Sequence, residues 1–193
     1  MIKQLWSAVV VAVAAVLITA CGHASNPGTE TTSMTSGVPV DPALTEASAR
    51  QQTITYLTDT LRRLPANISL SWQHPEFPQT VFGDATVAPC IDDDTVPNRP
   101  YNVGANYWVI GVPAGKSHEY VDSFVKAWEQ LGWKPVRDDH DPQMPQVRAG
   151  TPDGYLLTLT QNPRGDLAVS MSSPCFPQDK KGGQPIPQTI AHP

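Results

Sequence analysis

Between residues 106 and 137 the chain passes from strand to helix to strand with almost nothing in between, and this limits the folds open to it. Asn106-Tyr107-Trp108-Val109-Ile110-Gly111-Val112 reads as a central strand. Pro113-Ala114-Gly115 turns the chain. Ser117 is placed to cap a helix, and Glu119 falls in its first turn, where the helix dipole favours an acid. Val121, Phe124, Val125, Trp128 and Leu131 form the apolar stripe, and Gly132 stops the helix. Trp133-Lys134-Pro135-Val136-Arg137 then starts another strand. A helix bracketed this tightly has to lie against the sheet, which points to an α+β layering.

The other elements follow the same logic. Asp41-Pro42 has the form of a helix start, an N-cap acid followed by proline at the first helical position. Leu44, Ala47, Ile54, Leu57, Leu61 and Leu64 recur near helical spacing, Arg50, Gln51, Gln52 and Asp59 fall mostly off that stripe, and Pro65 ends it. Ile68, Leu70 and Trp72 alternate with polar residues as a strand does. His74 to Thr80 reads as a loop, Val81 to Ala88 as a short strand broken at Gly83-Asp84, and Ile91 to Tyr101 as an exposed loop. Gln146 to Ala149 is a short strand. Thr151-Pro152-Asp153-Gly154 and Asn162-Pro163-Arg164-Gly165 are turns around a strand bearing Tyr155, Leu157 and Leu159 and another bearing Leu167, Val169 and Met171. The expected fold is α+β: two helices on one face of a mostly antiparallel sheet of about five to six strands. It spans residues 41–175, and the Pro-, Gly- and Gln-rich tail 176–193 is expected to be disordered.

The amino end has a different character. Lys3 precedes an almost wholly apolar run, Leu5 to Ile18, broken only by Ser7. At 14 residues it is short of the roughly 20 needed to cross a bilayer and has the build of a secretory signal. Leu17-Ile18-Thr19-Ala20-Cys21 closes it and resembles the lipobox of bacterial lipoproteins, with Thr19 a less common choice. That resemblance implies removal of residues 1–20 and S-diacylglycerol and N-acyl modification of Cys21. It also implies anchoring at the outer, extracytoplasmic face of the cell membrane. Two or more acyl chains hold a protein stably where one does not. Residues 21–40, rich in Ser, Thr, Gly and Pro, read as a flexible linker. The spacer, the tryptophans and the Pro-rich tail are similar in style to small actinobacterial, especially mycobacterial, envelope lipoproteins.

Charge and cysteine content narrow the function. The formal charge of −5 becomes −6 once Lys3 leaves with the signal, so nothing attracts nucleic acid. With Cys21 assigned to lipid, Cys90 and Cys175 remain as an even pair in an oxidising compartment, and a disulfide is expected between them. Such a bridge would contribute about 4–5 kcal/mol on the chain-entropy model.

Motifs that carry chemistry are scarce. The sequence has no Gly-x-Ser-x-Gly elbow, no Gly-x-x-x-x-Gly-Lys phosphate loop and no His-Glu-x-x-His. Asp138, Asp139, His140 and Asp141 are the densest set of candidate ligands, yet Pro142 follows and calcium-loop spacing is missing; they read as a solvated turn, as do Asp92 to Asp94. His74 and His118 have no sequence partner, and His118 reads as a surface residue. Trp72, Trp108, Trp128 and Trp133 read mainly as core, with room for one or two to line a pocket. No catalytic residue, metal or cofactor is assigned. The expected function is a non-enzymatic binding or interaction module in the cell envelope. Its membrane contact is through lipid, and its partner is an envelope protein or a small apolar ligand. The alternatives are a hydrolase or other enzyme acting on the envelope, with a site near 138–141, and an assembly factor for another envelope protein.

Overall fold

A computed structural model describes residues 37–138, 140–142 and 144–193. Cys21, the signal and most of the linker lie outside the described residues.

The first helix, α1, spans Glu46–Leu61. It begins at Thr45, not Asp41, because Thr45 and Ser48 form a reciprocal capping box. The Ser48 N–H donates to Thr45 Oγ1 at 3.1 Å, and the Thr45 N–H donates to Ser48 Oγ at 3.0 Å. Asp41 instead accepts the Ala43 N–H at 2.8 Å in a turn of its own. Two acceptor side chains compete for the helix start, and the one satisfied reciprocally wins.

Strands β1 (Ser69–Ser71), β2 (Gln73–His74), β3 (Phe77–Val81), β4 (Thr86–Pro89) and β5 (Tyr101–Ile110) follow. Then come α2 (Ser117–Gln130) and β6 (Val136–Asp138), β7 (Gln146–Gly150), β8 (Leu156–Gln161), β9 (Leu167–Ser172) and β10 (Thr189–Ile190). Among the described residues the main sheet has eight strands, ordered β10-β1-β5-β9-β8-β7-β6, with β4 also on β5. Every pairing of these strands is antiparallel. The centre is β5. Its first half pairs with β4 (Thr86↔Gly104), its second half with β1 (Leu70↔Val109), and its other edge with β9 (Tyr107↔Val169).

The pleat of β5 sends Val103, Ala105, Tyr107 and Val109 into the core with Leu157, Leu159, Leu167, Val169 and Met171. The helices cover this face with Leu57 and Leu61 from α1 and Phe124 and Trp128 from α2, all 1% exposed or less. Each such Leu or Phe side chain contributes about 1.5–3 kcal/mol by leaving water. Trp128 Nε1 donates to Thr60 Oγ1 at 3.3 Å and ties one helix to the other.

Three further departures from expectation shape the molecule. His74 to Thr80 is not a loop: β2 and β3 form a separate two-stranded hairpin. It covers Trp108, which points to the sheet face opposite the helices; Phe82 stacks on that indole with centroids 5.1 Å apart, and Trp108 Nε1 donates to Thr80 O at 3.2 Å. β5 also begins at Tyr101, inside the stretch read as an exposed loop. And the tail 176–193 is packed. Phe176, Ile186 and Ile190 are buried, Phe176 exchanges backbone hydrogen bonds with Tyr101, and β10 adds a strand beside β1. The Tyr107 hydroxyl, pushed up to about 12 by burial, donates to Pro187 O at 2.7 Å. The tail has no period because its three buried anchors, Phe176, Ile186 and Ile190, are ten and four residues apart, with prolines in the extended chain between them.

An ion network built on the buried Arg50 and Glu46, with Asp84 at the surface, fixes that tail. Arg50 Nε donates to Glu46 Oε1 at 2.8 Å, and Arg50 Nη1 donates to both oxygens of Asp84 at 2.9 and 3.0 Å. Arg50 Nη2 donates to Ala85 O, Glu46 Oε2 accepts the Gly182 N–H, and Asp84 Oδ1 accepts the Ile186 N–H. Burial pushes both carboxyls up, but the backbone N–H groups and Arg50 outweigh it and hold both below their ordinary values. Cys90 and Cys175 are joined with an S–S distance of 2.10 Å, where β4 ends and the tail begins.

Candidate functional site

A cavity of about 250 Å³ opens where three connections converge: the β2–β3 turn, the β5–α2 turn and the β8–β9 turn. Its wall includes His74 and Glu76, the run Val109 to Gly115, Ser117, and the run Arg164 to Leu167.

The β8–β9 turn is built by Asn162, whose side-chain oxygen accepts the N–H of Arg164 at 2.9 Å and of Asp166 at 3.0 Å. Gly165 sits at φ +93°, and a Cβ there would come within 2.9 Å of Ser117 Oγ. Both facts call for glycine. This approach is possible because Ser117 does not cap its helix. Lys116 is the N-cap residue, without a side-chain cap bond, and the Ser117 hydroxyl donates to Gly165 O. The β5–α2 turn is fixed by Gly111 at φ +94°, where a Cβ would meet Asn67 O at 2.0 Å. Although Gly115-Lys116-Ser117 opens a helix after a strand, Ser117 is tied to the neighbouring turn and Lys116 pairs with Glu119. Neither is left free as a phosphate loop would need.

His74 is 9% exposed and stacks on Phe77, centroids 4.6 Å apart, with its edge toward Trp108. Its Nδ1 accepts the Glu76 N–H at 3.2 Å, so Nε2 carries the proton of the neutral ring. That Nε2 lies 3.7 Å from Asp166 Oδ1. Asp166 Oδ2 accepts from Asn162 Nδ2 at 2.9 Å and lies 3.5 Å from Arg164 Nε. The Arg164 guanidinium sits 3.6 Å over the Phe77 ring. Histidine, carboxylate and arginine therefore come from two hairpins about ninety residues apart in sequence.

The sequence found no partner for His74, because Asp166 approaches it only once β2–β3 folds over the sheet. A clue exists in Asn162-Pro163-Arg164-Gly165-Asp166, a turn with an Asx acceptor that puts two charges beside each other, but nothing local says which surface it faces. His118 is exposed, as its helix position predicts. In the 138–141 loop Asp138 accepts from the His140 backbone and side chain and lies 3.4 Å from Arg148. These contacts, led by the His140 N–H, hold its carboxyl below the ordinary range. Asp139 lies outside the described residues. Among the described residues no group of three His, Cys, Asp or Glu side chains is placed to hold a metal ion. Trp108, Trp128 and Trp133 are buried, and Trp72 is half-buried against the core. None of the four lines the cavity.

No family model matches the chain, and no curated protein is similar to it. One solved structure is similar in part, that of a Mycobacterium tuberculosis protein provisionally described as the lipoprotein LppA. The TM-score is 0.42 at 11% identity, over 69% of this chain and 78% of that one. A likeness that distant carries no argument about activity. Among the described residues no helix is long and apolar enough to cross a membrane.

Proposed function

We propose that the protein is a lipid-anchored binding module of the cell envelope that holds a small polar ligand in the cleft between the β2–β3 and β8–β9 turns. One observation carries this reading: three ionisable groups of the cleft, His74, Arg164 and Asp166, are held by one another and by Phe77. His74 has both ring nitrogens directed at other groups, Glu76 N–H and Asp166. Asp166 has both oxygens facing donors, and Arg164 is stacked on an aromatic face. An acid or base at work needs a lone pair or proton free to face its substrate. Groups that orient one another are instead suited to recognition, where a fixed geometry lowers the ordering cost of binding. The polar wall favours a polar ligand over an apolar one. The anchor rests on Cys21 and the apolar run before it.

Two measurements test the reading. Cys21→Ala should abolish incorporation of labelled fatty acid and release the chain from membranes; continued labelling would refute the anchor. A panel of small polar compounds, followed by backbone NMR of the lipidated protein in micelles, should move the signals of His74, Arg164 and Gly165. Compounds that perturb only other regions would remove the cleft as the site.

A further inference from the structure

Given that the cleft is the binding site, we propose that its ligand carries an oxyanion group, a carboxylate or a phosphate, which Arg164 grips through the free edge of its guanidinium. Arg164 is pinned on two sides. Phe77 lies under its plane at 3.6 Å, and Asp166 Oδ2 faces its Nε at 3.5 Å. Neither Nη atom has a hydrogen-bond partner among the described residues, and the side chain is 63% exposed. A guanidinium has five N–H donors in a fixed plane. Stacking uses its face and Asp166 takes the Nε edge, so the outer fork is left open in a defined direction. That fork matches two oxygens of a carboxylate or phosphate.

Two acids sit in the same wall and bear on the choice of ligand. Asp166 does not repel an incoming anion strongly, because Asn162 Nδ2, His74 Nε2 and Arg164 already surround it. Its effect is to orient the arginine. Glu76 is different: it is exposed at the rim and its side chain makes no ion pair among the described residues. It weakens anion binding and sets an upper limit on ligand charge. The site thus takes one oxyanion at the fork, with the neutral remainder of the ligand in the cavity of about 250 Å³.

The test titrates inorganic phosphate, acetate, ethanolamine and glycerol separately into the lipidated protein in micelles, following the Arg164 Nε–H and the Gly165 amide by NMR. Saturable shifts with phosphate or acetate are expected, and which of the two binds tells a phosphoryl from a carboxylate source. Arg164→Ala should weaken that binding by about ten- to a hundred-fold, the loss expected of a charge-assisted pair. Arg164→Gln keeps a planar group on Phe77 without the charge and should lose the same binding, which separates charge from stacking. Glu76→Gln should tighten binding by roughly two- to five-fold, as expected for removal of an exposed like charge. Cleft signals that respond only to ethanolamine or glycerol overturn the oxyanion proposal while leaving the cleft as the site. Cleft signals that respond to none of the four overturn both. Anion binding that survives Arg164→Ala overturns the assignment of the grip.

Discussion

Among the arginines set beside carboxylates, Arg50 and Arg164 show opposite uses of that pairing. Arg50 is 8% exposed, and each of its three nitrogens donates to protein: to Glu46, to both oxygens of Asp84, and to Ala85 O. Arg164 is mostly exposed, has one carboxylate at its Nε, and leaves its fork open. The first arrangement is closed and holds three distant segments together. The second is oriented by its neighbours but leaves its outer donors open to solvent. Residue type does not tell the two apart; the count of donors left over does.

The largest effect should come from opening the closed network. Arg50→Ala leaves Glu46 buried without its cation, and breaking such a pair costs about 3–5 kcal/mol. Denaturant unfolding should show that loss as a lower midpoint; a change under 1 kcal/mol would mean the two arginines do not differ in kind. Next comes the covalent tie on the same tail. Replacing both Cys90 and Cys175 by Ser should cost about 2–4 kcal/mol, the usual range for a native bridge and below the chain-entropy value for an 85-residue separation. Equal melting temperatures with and without reductant would contradict this.

A third, smaller effect is acid sensitivity. Glu46 and Asp84 have folded values depressed below the ordinary 4.5 and 3.8. Their contribution is therefore fully present above those ordinary values and is lost as pH falls through the lower folded ones. Melting temperature should drop from about pH 4.5 downward, and Asp84→Asn should flatten the lower part of that slope. An unchanged slope would remove Asp84 from the account. The smallest effect should be Arg164→Ala, which removes an exposed stacked charge and should cost no more than about 1 kcal/mol by thermal unfolding. A cost matching Arg50→Ala would make Arg164 a structural residue.

The same contrast explains what could be read from the chain alone. The α2 stripe, Gly132, and the two turns at 151–154 and 162–165 carry their signals locally, and the strands β7, β8 and β9 fall where alternation places them. Arg50 was misleading because α1 is weakly striped: Glu46, Thr53 and Thr60 are buried on it with Leu57 and Leu61. Besides Glu46, the Arg50 partners Asp84 and Ala85 lie 34 and 35 residues away, and no local window contains them. The tail was missed for the same reason: Ile186 and Ile190 are isolated anchors whose value depends on Asp84 and β1 being where they are. His74 and Asp166 meet only through the hairpin fold. Elements set by near neighbours were legible; contacts made across the sheet were not.

The chain enters the domain beside its own crosslink. Val40 bridges Cys175 in parallel, and the Asp41 N–H donates to Cys175 O at 2.8 Å. A pull applied ahead of Val40 therefore meets a hydrogen-bonded clasp before it reaches the first turn of α1. Through the sulfur bond, Cys175 shares that load with Cys90 at the end of β4, which is stitched to the middle of the sheet. A domain hung from its amino end would thus be loaded at a crosslinked point, and Brownian tugging would spare the helix that begins six residues after Val40.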